Sequence, residues 1–516
     1  MRRHVDDLSD RFYSSGNAPA DRSSSMRQIF PAAQFFQCTD VKVGGVSMEI
    51  ATAKPGDVCI FQSGVHDPVE FSALGLARGV AAILTDQLLP CPLPQVIVAD
   101  VERASCELFN RQLGDPSKKV LTIGVVGNAG KTTTSLLIAG VLRNLGIRTA
   151  YETDLGSCDG IVQTVDESER ACGAAMIQRI HDAAQADCGA IVIDLSRSVM
   201  ASHVGVEFDV LVVTGTSTDS PSTSRPTYGF GPDPLEIALE HLVSDAVVFV
   251  PADHPKLVRR VDDTGHRRLT YGMRREADIS AKVFDHQPGE MTLLVDAGDE
   301  TAAMETFQCG EAMAMNQLAA IGVAMLMEKS LPEAIEIVSR LPSVPGRMQR
   351  MTGFDTAAVV LDAGGNSSRL GTTLRTLRQQ RAGGKLWCIM TLDSPISAVD
   401  DEMAICGRLI EKHADKVILT STKDCKPTFL QAAHSLLDGF RAVTIARLVA
   451  DSDAAIHWAI KHASPSDTIV IIGGTEAQTA HDSRTRIQQL ERMIESGRQE
   501  STTKRSSGPA TIKMFS

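Results

Sequence analysis

The residues with the strongest claim to chemistry are GVVGNAGKTTT, Gly124 to Thr134. The apolar run VLTIGVVG leads into them and the helix-forming run TTTSLLIAGVLRNL leads out. A glycine-rich turn between strand and helix points successive backbone N–H groups, and the positive end of the helix, at an anion. In such a loop Gly127, Asn128, Ala129 and Gly130 would cradle phosphate. Lys131 would reach the outer phosphates as the catalytic cation, Thr133 would sit at the helix start, and the Thr132 hydroxyl would hold Mg²⁺. The chemistry expected is therefore that of a nucleoside triphosphate. The strict form of the motif has Gly where this chain has Val125; its glycines are Gly124, Gly127 and Gly130. The alternative for the same residues is a glycine-rich turn with an unrelated lysine.

The elements that must position this loop read as α/β throughout. DVCIFQ, VAAILTD and QVIVAD are strand candidates around the helix candidate FSALGLARG, and they form a small first unit. The Gly/Pro/Ser stretch RQLGDPSKK closes it. VLTIGVVG, GAIVIDLS, FDVLVVTG and DAVVFVPA then predict a parallel sheet covered on both faces, since near-continuous apolar strands alternate with helices. After LPSVPGRMQRM comes a third block with strands AAVVLDAG, LWCIMTL, KVILTST and TIVIIGG. The expected organisation is a loose segment over 1–35, three α/β domains over 36–118, 119–342 and 343–493, and a disordered tail over 494–516. The last domain is expected to be Rossmann-like.

Composition narrows the function classes. A formal net charge of −12 argues against a nucleic-acid partner, which would require a basic surface. No apolar run is long enough for membrane insertion. The opening MRRHVDDLSDRFYSSG lacks the apolar core of a signal peptide. Eleven scattered cysteines, none in CxxC spacing, read as reduced thiols in a cytoplasmic protein.

Three separated motifs in one order carry a resemblance. The glycine spacing with GKTT, the segment GEAMAMNQLAAIGVAM and the element LPSVPGRMQRM resemble the corresponding parts of the Mur ligases. KPGDVCIF followed by HDPVEFSALGLARGVAAIL resembles the N-terminal domain of the third-step members, the UDP-N-acetylmuramoyl-tripeptide synthetases. The resemblance implies ATP and Mg²⁺ as cofactors, and a UDP-linked muramoyl peptide and an amino acid as substrates. It implies phosphorylation of the precursor carboxylate, then attack of the amine on the acyl phosphate. By the same resemblance Asn316 would contact adenine, Arg347 would reach the nucleotide from the hinge, and Asp362 would match an Asp of the last domain. Asp194 would be catalytic and a metal ligand together with Thr132 and Asp219. From the residues alone, Asn316 could be helix decoration, Arg347 a solvated linker residue, and Asp362 a turn former.

Departures from that pattern cluster at the chemistry. Asp194 stands where the family has Glu, and Ser198 where it has His. In TGTSTDSPSTS, Thr214 and Asp219 match, whereas Gly215 and Ser220 replace Asn and His. No Lys occurs between Lys131 and Lys256, so the lysine carbamate that bridges metals in many members has no source there. Gly365 replaces a His, GGTEA lacks a Lys, EIA replaces the uridine element, and TSTKDCKPTF lacks the arginine element for diaminopimelate. Two readings follow: a divergent ATP-dependent ligase, or a catalytically reduced paralogue that binds ATP and acts as a regulator or scaffold.

Overall fold

The computed structural model describes residues 25–164, 173–195, 205–215, 233–287, 289–353, 355–380, 383–392, 400–422, 428–475 and 480–506. Among these, the strands form three sheets, one per domain of a three-domain α/β chain. The first has five strands, in the order Gln34–Phe36, Gln95–Ile97, Ala82–Thr85, Asp57–Ile60, Gly45–Ser47. Only its first pair is antiparallel. Each strand of the sequence reading is present, as is its helix, Pro68–Arg78. Asp67 caps that helix by accepting from Val69 and Glu70 N–H, and Gly79 ends it at φ +69°.

The central sheet has a parallel heart. Leu121–Val126, which leads into the phosphate loop, lies between Ala190–Leu195 and Phe208–Val213, and Thr149–Thr153 pairs on the far side of Ala190–Leu195. Leu242–Pro251 and Arg267–Gly272 continue the parallel set. Side chains alternate between its two faces with the strand period. Val126, Ile191, Ile193, Leu211 and Val213 join one apolar cluster, which runs on into Val58, Ile60, Leu84 and Leu108 of the first domain. Ile123, Val125, Val192, Val210 and Val212 join the other, against the helices Lys131–Asn144 and Glu311–Leu326. Antiparallel ribbons flank this heart: Ile279–Gln287, Glu290–Ala297 and Glu300–Thr306 on one edge, Gly156–Cys158 and Gln163–Thr164 on the other.

The last sheet runs Gln349–Met351, Ala358–Asp362, Thr468–Ile472, Leu386–Leu392, Lys416–Ser421, Ala446–Asp451. It is parallel except for the Gln349–Met351 edge.

Both expected ends need correction. The segment expected to be loose to residue 35 is ordered from Ser25 onward among the described residues, because Met26 and Ile29 bury their side chains and Met26 N–H donates to Val41 O. Of the tail expected over 494–516, residues 494–506 lie within a helix, Ala480–Ser506, and 507–516 lie outside the described residues. Ile487, Leu490 and Ile494 are buried along one stripe of it, and Arg498 donates to Met351 O and Ala357 O. That stripe is spaced for a helix face, which the Ser/Thr/Lys-rich composition conceals.

Candidate functional site

The loop between Val126 and Lys131 is shaped by its neighbours. Gly127 adopts φ +146°. A Cβ there would collide with Thr214 Oγ1 and would meet the Thr214 carbonyl oxygen at 2.9 Å. Thr214 N–H donates to Val126 O at 2.7 Å, and Asn128 N–H to Gly215 O at 3.2 Å, so the loop is stitched to the end of the adjacent strand. Gly130 sits at φ +84°, where a Cβ would lie 2.5 Å from Asn316 Oδ1. Gly124 differs from both. It belongs to the strand, where a Cβ would meet Leu195 Cδ1 at 2.9 Å, so it is a packing glycine and not part of the loop.

Gly127→Ala is expected to destabilise the protein by about 1–3 kcal/mol, the usual cost of a strained backbone position, and to lower nucleotide affinity. Chemical denaturation with and without nucleotide checks both. A neutral substitution would mean that the loop does not adopt this conformation.

The helix Lys131–Asn144 starts directly from the loop with Gly130 as its N-cap, leaving its first N–H groups for an anion. Lys131 is half-buried, and Thr132 and Thr133 are buried. The Thr132 hydroxyl donates to Asp194 Oδ2 at 2.7 Å. Asp194, fully buried on Ala190–Leu195, stands opposite Val125 in the parallel register, one residue short of the strand's end. A second carboxylate, Asp154 Oδ2, lies 3.4 Å from the same hydroxyl. Among the described residues no group of three or more His, Cys, Asp or Glu is placed to hold a metal. Mg²⁺ does not ask for one, since it takes one or two carboxylates with waters and substrate phosphates. A Thr hydroxyl with one or two Asp residues beside an anion-binding helix start fits that ion. Asp219, Ser198 and Ser220 lie outside the described residues, as do Lys423 and Lys426, the two cations of TSTKDCKPTF where the arginine element is lacking.

Asn316 is brought to the loop by packing of Glu311–Leu326 on Lys131–Asn144. Arg347 and Asp362 form a separate cluster at the hinge. Arg347 is buried, against the reading of a solvated linker residue. The Asp362 carboxylate accepts from Met348 N–H and Gly364 N–H, both at 3.0 Å, and from Thr373 Oγ1 at 3.2 Å. Those are the contacts of a hinge clamp, which corresponds to the turn-forming reading of this residue. Asp154 escapes the sequence reading of the site. His254, which with Pro251 makes PADH depart from the Asn-Ala-Asp-Asp of the resemblance, has its Nε2 3.9 Å from where a Gly215 Cβ would be, and Gly215 O is the carbonyl that Asn128 uses.

The chain matches two family models: the Mur ligase middle domain over residues 125–324, and the Mur ligase glutamate ligase domain over 346–475. It is 26% identical to UDP-N-acetylmuramoyl-L-alanyl-D-glutamate--2,6-diaminopimelate ligase of Chromobacterium violaceum, covering 81% of this chain and 86% of that protein. It is 27% identical to UDP-N-acetylmuramyl-tripeptide synthetase of Deinococcus radiodurans, with 86% and 92% covered. Among solved structures, a UDP-N-acetylmuramoyl-L-alanyl-D-glutamate--2,6-diaminopimelate ligase superposes with TM-score 0.61 at 19% identity, covering 92% of this chain and 99% of that one. A MurF ligase from Thermotoga maritima in complex with ADP gives TM-score 0.62 at 16% identity, with 88% and 98% covered.

Proposed function

The chain belongs to the Mur ligase family, and on that premise we propose that it is an ATP-dependent acid–amino-acid ligase of the UDP-N-acetylmuramoyl-tripeptide synthetase type. It joins an amino acid to a UDP-linked muramoyl peptide in peptidoglycan precursor synthesis. The observation that carries this reading is the Thr132–Asp194 pair at the root of the phosphate loop, on the carboxyl side of a parallel sheet, where ligands bind in such folds.

Carboxylate and amine do not condense unaided at neutral pH, so the carboxylate is activated by taking the γ-phosphoryl group of ATP. The amine then attacks the acyl carbon and phosphate departs. The work of the chain is to align the partners and to meet the charge on the moving phosphoryl group. The loop N–H groups and Lys131 hold the phosphates, and Asp194 fixes the Thr132 hydroxyl. Mg²⁺, held by Thr132 and Asp194, supplies charge neutralisation when bound. Asn316 borders the nucleotide at Gly130, and Arg347 contributes from the hinge. The first domain takes the UDP precursor and the last one the amino acid. A cytoplasmic location suits substrates of this kind, and among the described residues no helix is long and apolar enough to cross a membrane.

Phosphate release from ATP, measured with UDP-muramoyl-dipeptide and single amino acids, tests the assignment. Release is expected to require ATP, precursor and one amino acid together. Nucleotide binding without any substrate-dependent release would instead favour the ATP-binding regulator or scaffold.

A further inference from the structure

Close-packed protein interiors leave few voids larger than a water molecule. Among the described residues this chain keeps a cavity of about 400 Å³ where its central and last domains meet. Its walls come from the helix Lys131–Asn144, the hinge segment 341–345 and the C-terminal helix Ala480–Ser506. Leu155, Val344 and Ile487 are buried together there, with Leu136 packed against them. Gly140 lets the hinge close over the helix, since a Cβ at that position would lie 2.8 Å from Leu341 Cδ2. The cavity is separate from the phosphate loop. None of Gly127, Lys131, Thr132, Asp194 and Asn316 lines it. Arg143, which does, follows Lys131 by roughly 18 Å along the helix at about 1.5 Å per residue.

The charged groups of the cavity are few and unbalanced. Two guanidiniums, Arg143 and Arg484, stand against one carboxylate, Glu491. Glu491 Oε1 already accepts from Gln349 Nε2 at 2.7 Å. Arg143 Nη2 donates to Thr149 O at 2.8 Å, and its guanidinium lies 5.1 Å from the centre of the Tyr151 ring. Arg484 Nε donates to Leu155 O at 2.5 Å, and its Nη1 donates to Gln163 Oε1 at 2.9 Å. These partners hold both guanidiniums at the cavity wall, and being carbonyls, an amide and a ring they do not cancel the charge. In a chain of formal net charge −12 the cavity is locally cationic.

We propose that this cavity is a binding site for a small organic anion with an apolar body of one or two rings. The leucine-rich walls take the body, and Arg143 and Arg484 take the anionic group. Apolar cavities of roughly 300–1,000 Å³ with a few placed polar groups, set at domain interfaces, are the common form of a small-molecule site. The volume here would hold roughly a dozen waters at about 30 Å³ each, which suits a body of that size. A guanidinium bonded to a carboxylate or sulfonate is both stronger and more selective in geometry than a neutral pair. The occupant touches the phosphate-loop helix, the hinge and the C-terminal helix at once. It therefore stabilises the docked arrangement of the last domain, and the site is an effector site apart from the reaction.

The test measures, by fluorescence, the binding of anilinonaphthalene sulfonate to the full-length protein, beside phenylnaphthylamine, which has the same rings without the sulfonate. ADP and Mg²⁺ are present throughout, so that the phosphate loop is not the site read. The parent is expected to bind the sulfonate about tenfold or more tightly than the neutral amine, the effect of a charged hydrogen bond. Arg484→Gln should abolish that preference and leave the amine bound. Gln488→Trp, which aims an indole into the cavity from an exposed position of the C-terminal helix, should weaken both probes about tenfold or more. Thermal midpoints establish that each variant is folded, and the surface variant at Gln488 serves even if Arg484→Gln is not. Parent-like sulfonate affinity in either folded variant overturns the proposal. So does equal affinity of the parent for the two probes, or no uptake of the sulfonate. None of these readouts depends on ligation, so the proposed activity stands or falls separately.

Discussion

Lys131→Ala is expected to abolish most of the thermal stabilisation that ATP gives this protein. The side chain is half-buried at the first position of the helix, immediately after the loop, and its charge faces no rival lysine over the next 124 residues of chain. A charged hydrogen bond to phosphate contributes on the order of 1.5–3 kcal/mol, so its loss lowers affinity roughly 10- to 100-fold. Stabilisation by a ligand follows mass action. At 100 times the dissociation constant it amounts to about 2.7 kcal/mol, and a hundredfold weaker variant at the same ATP concentration keeps about 0.4 kcal/mol. The unliganded variant should melt where the parent does, since Lys131 is not fully buried. Differential scanning fluorimetry with and without ATP and Mg²⁺ checks this. An ATP-induced shift equal to the parent's would remove Lys131 from the nucleotide site, and with it the main support for the loop.

How much of this was legible in the residues depends on the distance over which each signal acts. The strand–loop–helix unit is local. Leu121–Val126 is buried at every position and carries one polar side chain, Thr122, and the loop glycines fall where positive φ and close neighbours demand them. Gly124 was grouped with the loop because sequence spacing cannot separate a glycine required by a turn from one required by Leu195 and Phe208. The ribbon Ile279–Thr306 was missed because its strands are half-exposed. Their apolar positions are interrupted by Lys282, Asp285 and Glu290, so they lack the continuous signal of a covered strand. Asp154 could not have been found from spacing at all. It meets Thr132 only because the sheet inserts Ala190–Leu195 between two strands that are close in sequence. Asn316 was reached by resemblance. Its helix is buried through most of its length against the sheet and a neighbouring helix, so one polar residue stands out there without revealing what it faces. The hinge was legible as a Pro-Gly break, but the burial of Arg347 and the clamp made by Asp362 are tertiary facts.

Asp194→Asn carries the other large expectation, and its sign differs between two measurements. Asp194 is fully buried on an otherwise apolar strand, with the Thr132 hydroxyl among its partners. Taking a carboxylate out of water is costly even when it is partnered. Asparagine keeps the shape and an oxygen that can accept from Thr132, but it removes the charge. Without ligand, the variant should therefore be as stable as the parent or more so, as expected where a site is built at the expense of stability. Phosphoryl transfer should move the other way. The negative charge is what holds a divalent cation against the phosphates, and losing oriented charge stabilisation of this kind costs on the order of 10²-fold or more in rate. The two readings of Asp194 then separate cleanly. If it were only a tether for the helix start, substitution would lower the denaturation midpoint and spare substrate-dependent phosphate release. If it serves the cation, release collapses while the unliganded fold holds. Parent-like release from Asp194→Asn would defeat the role assigned to this residue, whatever its effect on stability.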